Sequence, residues 1–118
     1  MKTVLLFCIL MGTVTECVGA ATVHSHSESQ GAVQDSLRHA GNAIDEAWEE
    51  FHRAALGGTL ASPVLQTKIE EALNEGRRLL IKARIASEVE DPATVLKLTS
   101  RIDEISHQIK QDSKRRKQ

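Results

Sequence analysis

The sequence predicts an all-α fold, an antiparallel three-helix bundle, and three observations carry that expectation. Apolar residues recur at alternating spacings of three and four in three separate stretches. Such spacing lays one stripe along a helix and does not suit a strand, whose period is two. Two pairs, Ser62-Pro63 and Asp91-Pro92, combine an N-cap residue with a proline pre-set for the first helical position. The Gly57-Gly58 pair supplies left-handed conformations that end the first helix without a Cβ penalty.

Met1–Ala20 has the organisation of a secretory signal peptide. Lys2 is its positive start, Val4–Val14 is mostly apolar, and Val18-Gly19-Ala20 offers small residues for cleavage. The apolar run is about 11 residues, against the roughly 20 needed to span a bilayer. Secretion, with the processed chain starting at Ala21, is therefore expected. Both cysteines, Cys8 and Cys17, lie in the leader, so no disulfide is expected and packing alone must stabilise the fold. Residues 21–31, polar and without periodicity, are expected to form a flexible arm. Cleavage one residue later would expose Thr22-Val23-His24, a terminus able to chelate copper or nickel, but a solvated arm is the preferred reading.

The first helix is expected over residues 32–56, with Val33, Leu37, Ala40, Ile44, Ala47, Phe51 and Ala54 in its stripe. Trp48 flanks the stripe and is expected to fill the edge of the core; exposed, it would be an interface anchor. Asp45, Glu46, Glu49 and Glu50 surround it. As acids off the stripe of a helix they read as a solvated face rather than an acid–base pair.

The second helix is expected over 63–87, with Leu65, Ile69, Ala72, Gly76, Leu79, Ala83 and Ala86 inward and Leu73 and Leu80 widening the stripe. A stripe this wide suits a helix touching both of its neighbours, which makes this the expected centre of the bundle. Gly76, inside the helix, points to close helix–helix approach or to a tolerated imperfection, at about 1 kcal/mol relative to alanine. Ile81 and Ile85 lie off the stripe and are either covered by another part of the chain or form an exposed apolar patch.

The third helix is expected over 92–112, with Val95, Leu98, Ile102, Ile105 and Ile109 inward and Leu96 outside. The domain plan is thus a leader at 1–20, an arm at 21–31, a bundle at 32–113 and a basic tail at 114–118. Lys114, Arg115, Arg116 and Lys117 form that tail, which is expected to be solvated and able to meet polyanions.

The net charge of −1, from 15 basic and 16 acidic residues, argues against dedicated nucleic-acid binding, as does an aromatic content of 3%. Acids dominate Asp45–Glu75 and bases dominate Arg77–Gln118. His39, His52 and His107 fall off the stripes, and no two helical histidines have the spacing of paired metal ligands. No phosphate-binding loop, nucleophile elbow or Cys–His arrangement is present. Three slender helices filled by Leu, Ile and Ala leave little room for a pocket of roughly 300 Å³ or more. The expectation is a non-enzymatic protein without cofactor or metal that acts through its surface. The candidate contact residues are Trp48, Arg77, Arg78, Ile81, Lys82, Ile85, Lys114, Arg115, Arg116 and Lys117. A different class, an amphipathic lipid or membrane binder, is disfavoured by acids close to the apolar faces and by the lack of cationic excess.

The leader, the short cysteine-free processed chain, the A-W-E-E-F segment at Ala47–Phe51 and the Lys/Arg-rich end together resemble the small helical salivary proteins of anopheline mosquitoes, the anophensin and albicin family. The resemblance covers the plan of the whole chain. It implies a secreted inhibitor of host defence, directed at a component of the alternative-pathway complement convertase or at a contact-phase factor of coagulation.

Overall fold

The computed structural model describes residues 19–116. They form three α-helices, α1 (Gly19–Leu56), α2 (Pro63–Glu88) and α3 (Pro92–Ser113), packed as a bundle. No β-strand occurs among the described residues; one isolated antiparallel bridge joins Leu60 to Arg116. Most of the expected leader, through Val18, and Lys117 lie outside the described residues.

The helix starts follow their sequence signals. Ser62 Oγ accepts from the Leu65 amide at 3.2 Å, and Asp91 Oδ1 accepts from the Thr94 amide at 3.1 Å. The Thr94 hydroxyl also donates to Asp91, and these two hydrogen bonds, the hydroxyl's first, hold the Asp91 carboxyl below its ordinary range. Two helix ends share one geometry. After α1 the Thr59 amide reaches Ala54 O and the Gly58 amide reaches Ala55 O; after α2 the Asp91 amide reaches Ala86 O and the Glu90 amide reaches Ser87 O. Each places one residue in the left-handed region, Gly58 at φ 64° and Glu90 at φ 54°. Gly58 alone of the glycine pair takes that conformation; Glu90 takes it despite its Cβ.

α1 begins well before residue 32. The segment expected as a flexible arm, 21–31, belongs to this helix. Residues 27–32 are exposed, and Val33, which follows them, is buried. The expected start thus adjoins the first buried residue of the stripe: over residues 27–32 the helix continues with no buried side chain, so apolar periodicity does not record it.

The centre of the bundle is α3. It packs extensively against both α1 and α2, which meet each other over a smaller area. The expectation that α2 holds this place is corrected by the burial pattern. Val95 and Ile102 of α3 are fully enclosed, Ile109 nearly so, and Thr99 and Ser106 between them are buried as well. The stripe of α2 is nonetheless inward as expected, with Leu65, Ile69, Leu73, Gly76, Leu79, Leu80, Ala83 and Ala86 buried. At Gly76 a Cβ would overlap Cδ1 of Ile44 and lie 3.2 Å from its Cγ1, so this glycine marks close approach of α1 and α2.

Candidate interaction surface

The far side of α2 carries the most distinctive chemistry on the molecule. Ile81 and Ile85 stand four residues apart on the outer face, followed by Val89 at the helix cap, and the three are 56%, 54% and 70% exposed. Of the two readings open for Ile81 and Ile85, the exposed patch is the one observed. Arg77, Arg78, Lys82 and Arg84 are exposed beside this ridge. Arg78 pairs with Glu75 at 3.2 Å, while Arg77, Lys82 and Arg84 have no ion pair among the described residues. Glu71, Asn74, Arg77, Arg78 and Ile81 line an open depression of about 460 Å³ on this face.

A second open depression of about 460 Å³ lies between α1 and α3, lined by Glu46, Glu49, Glu50, Arg53, His107, Lys110, Gln111 and Lys114. Both volumes exceed what the slender helices lead one to expect, because they belong to the surface rather than to the core. Here the charges compensate each other across the helices. Lys110 lies 3.4 Å from Glu46 and Lys114 lies 3.8 Å from Glu50. Two of the acids around Trp48 thus hold α3 to α1.

Trp48 is 38% exposed and stacks on His52, with ring centroids 4.6 Å apart and planes 12° apart. It is less enclosed than a core filler and lines neither depression. The three histidines assigned to solvent are exposed. His39 approaches Asp103 at 3.9 Å, and His107 shares a hydrogen bond of 2.9 Å with Gln111.

The start of the basic tail, residues 114–116, is exposed, and its charges lie near acids of the bundle. Lys114 meets Glu50, Arg115 Nε lies 3.4 Å from Asp112 Oδ1, and the backbone of Arg116 bridges to Leu60, which is buried. Asp112 is only 2% exposed; its Oδ2 lies 3.6 Å from Lys68, and its Oδ1 has no hydrogen bond. The Oγ atoms of Ser106 and Ser113 are likewise buried without a partner among the described residues. Asp112 was not among the expected inward positions, yet its signal was available. It continues the α3 stripe three residues beyond Ile109.

The predicted contact residues therefore fall into separate places. Arg77, Arg78, Ile81, Lys82 and Ile85 share one face of α2, Trp48 stands on α1, and Lys114, Arg115 and Arg116 close one end of the bundle. Among the described residues no three His, Cys, Asp or Glu side chains converge as metal ligands, and no helix is long and apolar enough to cross a membrane. No family profile matches the chain, and neither characterised proteins nor solved structures give a match.

Proposed function

We propose that this chain is a secreted, non-enzymatic binding protein that inhibits an extracellular host defence factor by steric blockade. The candidate targets are a component of the alternative-pathway complement convertase and a contact-phase factor of coagulation. The observation that carries the binding role is the outer face of α2, where exposed isoleucines stand beside bases that the fold leaves uncompensated. Apolar side chains within a ring of charge are the composition of a contact surface: burial supplies affinity, and charge supplies steering and choice of partner. The resemblance of the chain's plan to anopheline salivary inhibitors supports the host-directed part.

The test is a paired assay on the processed protein: alternative-pathway lysis of erythrocytes in serum and contact activation in plasma, each beside dye leakage from anionic vesicles. Dose-dependent inhibition of either cascade without leakage is expected. Leakage without inhibition contradicts the proposal and assigns the protein to the amphipathic lipid binders.

A further inference from the structure

We infer that the carboxy-terminal half of α2 from Arg77, together with its capping residue Val89, is the docking surface itself. Its occupant is a folded protein presenting an apolar groove rimmed by carboxylates. This inference rests on the inhibitory reading above and gives it a location and a partner chemistry.

The apolar element is made of three β-branched side chains: Ile81 and Ile85, about 6 Å apart along the helix at 1.5 Å per residue, and Val89, the residue that caps its end. Branched side chains lose little rotamer freedom when covered, since χ1 is already restricted in a helix. An exposed apolar pair at i and i+4 is part of the pattern that a helix offers to a groove. Its backbone is held from behind, because Leu79, Leu80, Ala83 and Ala86 of the same turns are buried in the bundle. The surface is therefore pre-organised, and little ordering opposes association.

Charge decides the occupant. Most bases elsewhere on the bundle already have an internal acid: Arg38 with Asp35, Lys68 with Asp112, Arg101 with Glu104, Lys110 with Glu46, Lys114 with Glu50 and Arg115 with Asp112. Arg77, Lys82 and Arg84 do not, and they flank the ridge. Acids on the partner supply what the fold withholds. A second copy meeting this face through the same face would bring the bases of both chains together, which opposes a symmetric dimer. An anionic bilayer would meet only a short ridge, bordered at its far end by Glu88 and Glu90, on a helix whose main apolar face is committed to the core. The tail plays no part in this surface, since Lys114 and Arg115 are paired with Glu50 and Asp112, away from the outer face of α2.

The experiment compares four processed proteins in the inhibition assay to which wild type responds. They are wild type, Ile81→Ser with Ile85→Ser, Arg77→Glu with Lys82→Glu and Arg84→Glu, and Lys114→Ala with Arg115→Ala. The altered α2 side chains are exposed, so thermal melts of the α2 variants should overlay wild type. Both α2 variants should lose more than about tenfold in potency, and the tail variant less than about threefold. Added salt should weaken wild type more than the charge-reversed variant. Full potency in both α2 variants overturns the inference and leaves the inhibitory reading standing. Inactivity of wild type in both cascades removes that reading, and the inference falls with it. Ridge-dependent binding to phosphatidylserine vesicles, or a wild-type dimer that the ridge variant abolishes in sedimentation, overturns the choice of occupant.

Discussion

Replacing Gly76 by alanine sets two effects of opposite sign against each other. Alanine is favoured over glycine by about 1 kcal/mol in a helix interior. A Cβ at this position, however, overlaps Cδ1 of Ile44 on α1, with Cγ1 at 3.2 Å and Cγ2 of Ile105 at an ordinary 3.8 Å. Overfilling a packed core costs roughly 1–3 kcal/mol. Ile44 is 2% exposed and belongs to the main core cluster, so turning its end away disturbs packed surroundings. Packing should win, leaving Gly76→Ala less stable by about 1 kcal/mol. Ile44→Val removes the offending Cδ1 and alone costs about 1 kcal/mol. In the Ile44→Val background the alanine should become neutral or stabilising by up to about 1 kcal/mol, a coupling of roughly 1–2 kcal/mol. Urea unfolding followed by far-UV circular dichroism measures all four corners of the cycle. For a domain of this size, 1 kcal/mol corresponds to about 4–8 °C in Tm. If Gly76→Ala alone raises stability, or the two changes simply add, the close approach of α1 and α2 at this level is refuted.

Three further outcomes are expected. Glu90→Gly relieves a left-handed conformation that costs a residue with a Cβ about 1 kcal/mol, so its thermal midpoint should rise; a fall would show that the Glu90 side chain contributes more than its strain. The folded-state pKa of Asp91 is lowered by its Thr94 bonds, so its contribution is complete above the unfolded value near 3.9 and is lost as pH falls from there through the folded value. Wild type should therefore lose stability more steeply than Asp91→Asn in acid melts below about pH 4, and identical profiles contradict this. At the bundle's end, Lys68→Met should destabilise by about 1 kcal/mol because it leaves a buried carboxylate less compensated, while Asp112→Asn should cost less because Lys68 and Arg115 are both exposed. Chemical denaturation gives the order of the two, and the reverse order refutes it.

The helical stripes were legible because core burial and helical period impose the same pattern of threes and fours. The two Pro-marked starts were legible because capping is local chemistry. What escaped the sequence was relational. The middle helix in the chain need not be the most enclosed, and nothing within α3 alone announces that it packs against both neighbours with Val95, Ile102 and Ile109 almost wholly enclosed. Ile81 and Ile85 were identifiable as off the stripe, but whether another segment covers them depends on tertiary contacts. Val89 joins their ridge just past the last turn of α2, where the sequence reading had stopped. The exposure of residues 114–116 follows from four adjacent bases, whereas their pairing with Glu50 and Asp112, one distant in sequence and the other buried in the α3 stripe, does not. Trp48 sits at the boundary angle of its stripe, where a small rotation of α1 decides between core and surface.

The central claim is that the protein acts by occupying a partner's surface rather than by turning it over. Titrating processed wild-type protein into an alternative-pathway or contact-activation assay, with preincubation varied, tests this most directly. Stoichiometric blockade predicts inhibition that rises with dose, saturates near equivalence with its target, and does not deepen with preincubation once binding is complete. Inhibition by sub-stoichiometric protein that grows steadily with time would reveal turnover and contradict the account, as would the absence of inhibition in both cascades.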